Sequence, residues 1–313
     1  MNIFINYFDP TFERHMPRFQ EVAGDATVRW FQTRAELEAE IEHADIVASH
    51  ISPEALVRAK NLKWVHSWSA GPNSFAYPEM QASPVPLTCS KGNGAVPLAE
   101  HAILLMLMLA RDMRRWLRAQ DAKEWDTYEF HELKGKTLGI IGLGHSGQDL
   151  AGKAAAFHMR VLATRRTQKA VPNVEKIYPP EALNEMLAEC DYVVVTAPLN
   201  DQTRGMINHA SFAAMKPTAF YVCFSRGAIA EDSALLDALQ NQKIAGAGLD
   251  AHSVEPLPKD SPFWDLPNTI ITPHSGASAV ETPLRSVDIF CENLRRFLAG
   301  EELFNLVNKE HWY

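Results

Sequence analysis

Three ionisable side chains in the second half of this 313-residue chain each stand where an apolar run gives way to a loop. Arg226 follows Tyr221-Val222-Cys223-Phe224-Ser225, Glu255 lies just beyond Leu249-Asp250, and His274 sits in Thr272-Pro273-His274-Ser275-Gly276. In an open α/β sheet ligands bind outside the carboxyl ends of the strands, so groups placed in this way can converge. Their chemistry suits reduction of a 2-oxo acid. A guanidinium holds the carboxylate and polarises the ketone, an imidazolium delivers a proton, and a carboxylate favours the imidazolium by its charge. Arg226, His274 and Glu255 fill these roles in that order, and no metal is needed because Arg and imidazolium supply the electrophilic stabilisation. Any one of them alone reads as a surface or capping residue.

What gives the set meaning lies upstream. Thr137-Leu138-Gly139-Ile140-Ile141 runs into Gly142-Leu143-Gly144-His145-Ser146-Gly147, and a helical pattern follows over 148–157. This is GxGxxG between a strand and a helix, the context the motif requires. The first glycine permits the tight turn, the second lets a pyrophosphate approach the backbone, and the third lets helix and strand pack; the helix N-terminus supplies amide donors. His145 is a tolerated side chain there, because the backbone does the binding. The end of the next strand separates NAD from NADP, since a carboxylate binds the ribose hydroxyls and an Arg accommodates a 2′-phosphate. Here Val161-Leu162-Ala163-Thr164 leads into Arg165-Arg166, which predicts NADP(H) in preference to NAD(H).

The elements that must carry these residues are short β-like runs alternating with helices, which predicts parallel sheets with crossover helices. Strands are expected at 2–7, 27–31, 45–49 and 63–67, and again at 137–143, 160–164, 174–178, 191–199, 218–224, 244–250 and 269–273. One helix is expected over 97–118 and a long amphipathic one over 282–299, the latter returning to the first domain. Thr33-Arg34-Ala35-Glu36 has the spacing of a capping box, and Ser52-Pro53 opens a helix with proline where its missing N–H costs nothing. Arg111, Arg114, Arg115 and Arg118 fall at helical offsets and are expected as one basic stripe, solvated, pairing across an interface or drawing anions inward. His101 reads as capping or interface polarity, the run 105–109 as buried helix or dimer contact, and Trp64, Trp68 and Trp125 as packing residues, with shaping of a substrate pocket as the alternative.

Composition sets the outer bounds. With 38 acidic and 30 basic residues the net charge is −8, which argues against a protein that neutralises nucleic-acid phosphates. The apolar run 102–110 is far short of the roughly 20 residues of a membrane span. Four scattered cysteines, Cys89, Cys190, Cys223 and Cys291, form no metal-ligand spacing and are few for a disulfide framework, which fits a cytoplasmic setting.

The segments 138–147, Ala197-Pro198-Leu199 with Gln202-Thr203-Arg204-Gly205, Ser225-Arg226-Gly227, Gly248-Leu249-Asp250 with Val254-Glu255-Pro256-Leu257-Pro258, and 267–274 resemble the D-isomer-specific 2-hydroxyacid dehydrogenase family. The match runs from about 99 to 279. It implies a Rossmann-type doubly wound parallel sheet over 98–282, a discontinuous flavodoxin-like α/β substrate domain over 1–97 and 283–313, and a homodimer. Arg226, Glu255 and His274 match the family's catalytic Arg, Glu and His, and Asp250 the residue that contacts the nicotinamide carboxamide. Ser69-Ala70-Gly71 matches the loop whose amides bind the substrate carboxylate, joined by Arg226 and His274. The remaining cofactor positions implied are Gly142, Gly144, His145, Ser146, Gly147, Thr164, Arg165, Arg166, Ala197, Pro198, Thr203, Cys223, Phe224, Ser225, Ser275 and Gly276. Cys223 stands where the family often has Asn, and it reads as packing rather than as a nucleophile.

The expected activity is therefore NADP(H)-dependent reduction of a small 2-oxo acid, glyoxylate- or hydroxypyruvate-like, to the D-2-hydroxy acid. Two other readings fit the same motifs: a dinucleotide-sensing, corepressor-like interaction protein, and a dehydrogenase for a larger or phosphorylated 2-hydroxy acid.

Overall fold

The β-rich runs form two all-parallel sheets in a computed structural model that describes residues 1–310 and 312. The chain divides into two compact units, Met1–Asn93 with Val280–Tyr313, and Gly94–Ala279. The expected boundaries at 97/98 and 282/283 thus fall at 93/94 and 279/280; within the first unit, positions 311 and 313 lie outside the described residues.

In the first unit β1 (Asn2–Ile5), β2 (Thr27–Trp30), β3 (Ile46–Ala48), β4 (Trp64–Ser67) and β5 (Leu87–Cys89) are ordered β2-β1-β3-β4-β5. This is the flavodoxin-like order, with its reversal between β1 and β3. The strand β5 has no counterpart in the sequence expectation, because three residues directly after Pro84-Val85-Pro86 are too few to show a period. The helix Thr282–Ala299 belongs here: Val287, Phe290, Cys291 and Leu294 share one core with Ile3, Ile5, Phe19 and Trp64. Phe290 stacks on Trp64 with ring centroids 5.4 Å apart, and burying such a ring contributes roughly 1.5–3 kcal/mol. The Thr33–Glu36 capping box forms with both bonds, and Ser52 Oγ accepts from the Ala55 amide at 3.1 Å.

In the second unit β6 (Thr137–Ile141), β7 (Arg160–Thr164), β8 (Lys176–Tyr178), β9 (Tyr192–Val195), β10 (Phe220–Cys223), β11 (Gly246–Leu249) and β12 (Thr269–Ile271) are ordered β12-β11-β10-β9-β6-β7-β8. Sequence order reverses between β6 and β9, the doubly wound Rossmann arrangement with its ligand crevice at the reversal. The apolar helix Ala95–Ala110 covers one face with the helix His145–Ala156. Among the described residues no helix is long and apolar enough to cross a membrane.

The single helix expected over 97–118 is two. Asp112 takes a left-handed conformation (φ 42°) and caps a second helix, Met113–Ala122, through the Arg115 amide. The four arginines consequently form no continuous stripe. Arg111 lies at the break with its guanidinium 3.9 Å from the Phe130 ring centre, Arg114 donates to the Leu266 and Thr269 carbonyls, and Arg115 pairs with Asp126.

Candidate active site

The carboxyl edge of the second sheet is built by close backbone approaches. Gly142 has φ +94°, and a Cβ there would lie 2.7 Å from the Ala197 Cα across the β6/β9 reversal. A Cβ on Gly147 would meet the Gly142 carbonyl at 2.5 Å, whereas one on Gly144 would point into open space. The helix that starts at His145 has no side-chain cap, so its N-terminus faces that opening without an internal anion. A turn that must be glycine, an open approach beside it and an uncapped helix suit a pyrophosphate, so the residues fit a dinucleotide. At the end of β7 the Thr164 carbonyl accepts from the Gly142 amide, which ties the adjacent Arg165 to the phosphate turn. From Arg165 to Ala170 there is no carboxylate, and Arg166 is exposed. Thr203 donates to the Pro198 carbonyl at 2.7 Å and shapes the turn after β9 rather than offering its hydrogen outward.

His274 Nδ1 lies 2.8 Å from Glu255 Oε2, while the other Glu255 oxygen accepts from the His252 amide at 2.9 Å. Burial alone would raise the Glu255 carboxyl, but that amide and His274 outweigh it and hold the group below its usual range. The carboxylate fixes the imidazole by Nδ1, leaving Nε2 as the proton-carrying edge. Arg226 is exposed, and its Nη1 donates to the Ser225 carbonyl at 2.6 Å; it bonds to neither Glu255 nor His274. Its loop is nonetheless coupled to theirs, because a Cβ on Gly227 would sit 2.1 Å from the His252 carbonyl carbon. Only glycine lets the two loops cross. Cys223 is buried, which pushes its thiol up in pKa; Sγ donates to the Arg226 carbonyl at 3.5 Å. A thiol so placed packs and does not attack.

His274 itself has φ 51°, in the left-handed region where a residue with a Cβ is strained. Asp250 holds that turn. Its fully buried carboxylate accepts from Thr272 Oγ1 at 2.7 Å and from the Ser275 and Gly276 amides at 2.9 and 3.0 Å. Burial works against the charge, yet His101, Thr272 and the two amides prevail and keep Asp250 well below the ordinary carboxylate range. Because Thr272 gives its hydrogen to Asp250, His101 Nε2 must donate to Thr272 Oγ1, 3.0 Å away. His101 supports the His274 turn from the buried helix. Nothing in Glu100-His101-Ala102 signals this, since the partner lies 171 positions away.

Ser69-Ala70-Gly71, expected to bind a carboxylate, follows β4 in the first unit. The Ser69 amide donates to Ser67 Oγ, the Ser69 carbonyl accepts from the Ser90 amide, and the Ala70 carbonyl accepts from Cys89 Sγ. The Ala70 and Gly71 amides make no hydrogen bond among the described residues, so two consecutive donors remain for an anion. Beneath them His66 is completely buried. Thr88 Oγ1 accepts from Trp64 Nε1 and gives its own hydrogen to His66 Nδ1 at 2.8 Å; His66 Nε2 then donates to Ser90 Oγ at 3.1 Å. Burial drives the His66 pKa down to about 3, so the ring is neutral.

Residues 103–276 match the family model for the D-isomer specific 2-hydroxyacid dehydrogenase NAD binding domain. The chain belongs to that family. This D-2-hydroxyacid dehydrogenase is accordingly an oxidoreductase that uses NAD(P). It is 32% identical over 274 residues to a glyoxylate reductase of Pyrococcus furiosus, covering 85% of this chain and 81% of that one. Among solved structures it resembles an NADPH-dependent glyoxylate/hydroxypyruvate reductase from Sinorhizobium meliloti in complex with NADP and sulfate, with TM-score 0.84, 27% identity, and coverage of 100% and 99%. A D-isomer specific 2-hydroxyacid dehydrogenase family protein from Aeromonas salmonicida gives TM-score 0.87 at 28% identity, covering 98% of this chain and 99% of that one.

Proposed function

We propose that this dehydrogenase reduces a small 2-oxo acid of the glyoxylate or hydroxypyruvate kind with NADPH. The observation that carries the reaction is the His274–Glu255 contact at 2.8 Å, which leaves Nε2 as the proton donor. A bound nicotinamide supplies the hydride that adds to the ketone carbon. His274 gives the ketone oxygen its proton from Nε2, and Glu255 orients the ring through Nδ1. Arg226 holds the substrate carboxylate and polarises the carbonyl. In the first unit the Ala70 and Gly71 amides are two consecutive donors suited to a carboxylate. Asp250 serves as a positioning residue for the His274 turn, since it accepts from Thr272, Ser275 and Gly276 around it.

The NADPH preference rests on Arg165 and Arg166 at a strand end without a carboxylate, and the names of the glyoxylate reductase relatives support the substrate class. A homodimer is supported by the apolar side chains that the second unit leaves exposed: Leu104, Leu117, Trp125 and Phe130. A reducing, cytoplasmic setting is supported by four buried free cysteines.

Initial rates on glyoxylate, hydroxypyruvate, pyruvate and phenylpyruvate, with NADPH and NADH in parallel, test the reading. NADPH-dependent turnover of the smaller acids is expected. Equal efficiency with the two cofactors would overturn the preference, and tight cofactor binding without turnover of any acid would favour a dinucleotide sensor. His274→Gln should lower kcat by about 10²–10⁴, the range of a lost general acid, in a protein that still folds and binds cofactor. Near-full turnover would refute the proton transfer.

A further inference from the structure

The second unit holds a cavity of about 290 Å³ that the proposed reaction does not use, for none of Arg226, Glu255 and His274 lines it. Its walls come from the ends of β10 and β11, the helix Asp232–Gln240 and the loop 252–263. Leu235, Leu249, Leu257 and Phe263 give it an apolar body. An apolar cavity of about 150 Å³ admits benzene, so this one has room for a single ring carrying a short arm.

Two buried polar atoms in these walls lack partners. Tyr221 is completely buried in β10, and among the described residues its hydroxyl meets no acceptor beyond the neighbouring Cys223 thiol, whose own hydrogen goes to the Arg226 carbonyl. His252 has the Thr272 carbonyl beside its ring, yet Nε2 is buried without a hydrogen-bond partner. Protein interiors pair their polar atoms, so two orphans in the walls of one cavity call for an occupant that reaches both. A hydroxyl group accepts as well as donates, and it satisfies the Tyr221 O–H together with either tautomer of His252. Charge narrows the choice. Asp232 and Asp260 line the cavity and, among the described residues, no lysine or arginine does, so carboxylates and phosphates are repelled, the ligands of the reaction included.

The same walls are tied to the catalytic loop. The His252 amide donates to Glu255 Oε1 at 2.9 Å, Ser253 Oγ donates to Asp232 Oδ1 at 2.6 Å, and the His252 backbone abuts Gly227 beside Arg226. An occupant bonded to the His252 ring therefore braces the backbone that holds Glu255.

We infer that this cavity is an effector site for a small uncharged aromatic alcohol, whose hydroxyl bonds to Tyr221 and His252 and whose presence steadies Glu255 and raises turnover. The effect on turnover rests on the proposed roles of Glu255 and His274; the binding does not.

Isothermal titration calorimetry with 2-phenylethanol, ethylbenzene and phenylacetate tests the site. 2-Phenylethanol should bind, and ethylbenzene, which lacks the hydroxyl, should bind about tenfold more weakly or worse. Tyr221→Phe removes a buried hydroxyl that the fold leaves unpaired, so it should keep wild-type stability and basal turnover while losing about tenfold in affinity for the alcohol. Phenylacetate should show no affinity that this variant changes. In initial rates the alcohol should raise kcat about twofold or more without competing with the 2-oxo acid, and Tyr221→Phe should abolish the rise. Failure of 2-phenylethanol to bind, equal affinity for ethylbenzene, an affinity that Tyr221→Phe leaves intact, or competition with the 2-oxo acid overturns the site. Binding that leaves kcat unchanged overturns the link to Glu255. Should no 2-oxo acid turn over, the proposed reaction fails separately, and calorimetry on the two proteins still decides the site.

Discussion

The two parallel sheets meet the same problem, holding ligand groups at the carboxyl ends of strands, by different means. In the second unit the edge is made by backbone pressed against backbone. Gly142 abuts Ala197, Gly147 abuts the Gly142 carbonyl, and Gly227 abuts His252, each so closely that a Cβ would collide. In the first unit the corresponding edge is made by side chains. Asn6, Ser49, Trp68, His66, Thr88 and Ser90 pass hydrogen bonds from strand to strand and hold the loop at 69–71 from beneath. A backbone-built edge tolerates no added atom, whereas a side-chain-built edge tolerates substitution but depends on protonation state.

The largest expected effect tests the first half of that contrast. Gly227→Ala should destabilise the protein by about 3 kcal/mol or more, because the new methyl meets backbone that no rotamer change can move, and kcat/KM should fall with it as the Arg226 and Glu255 loops part. Urea denaturation and initial rates measured together check this. A variant of wild-type stability would show that the two loops do not cross as described.

The second half is tested through His66. Its folded pKa, about 3, lies below the ordinary 6.5, so between these values the unfolded chain binds a proton that the folded one does not. The stability from the neutral ring is therefore full above pH 6.5 and is lost as pH falls from 6.5 toward 3. From pH 6.5 to 4.5 this amounts to about 2 kcal/mol. Other groups titrate over the same interval, so the informative quantity is a difference. The fall in unfolding free energy should be about 2 kcal/mol smaller in His66→Gln than in wild type. An identical pH dependence in both proteins would show that His66 does not titrate in this way.

The smallest effect sharpens the comparison inside the second unit, where one end of the dinucleotide site depends on side chains after all. Arg165→Asp should lower kcat/KM with NADPH about tenfold relative to NADH, through loss of one charge-assisted contact and introduction of a repulsion. A ratio unchanged from wild type would remove Arg165 from cofactor choice.

The same contrast explains what could be read from the amino-acid order. The spacing Gly142-x-Gly144-x-x-Gly147 is the imprint of a backbone-built turn, and Arg226, Glu255 and His274 stand at ends of strands that are themselves apolar runs. The alternation that predicts two parallel sheets carries through to both strand orders. Strand β5 stays hidden because three residues after a pair of prolines have no period. The break at Asp112 stays hidden because the arginine spacing continues helically across it while the backbone does not. His101 and Thr272 meet only through the fold, and no local pattern announces a partner so far along the chain.

The helix Thr282–Ala299 has a consequence for how the protein is made. Residues 1–93 leave the ribosome first, yet the surfaces of Trp64 and Ile3 that Phe290 and Leu294 cover stay bare until the whole of 94–279 has been synthesised. The second unit is one uninterrupted stretch, so it can settle its core as soon as it emerges. Birth order and completion order are thus reversed, and a chain stopped near 279 would hold a finished second unit beside a first unit with an open apolar face, a natural target for chaperones or proteases.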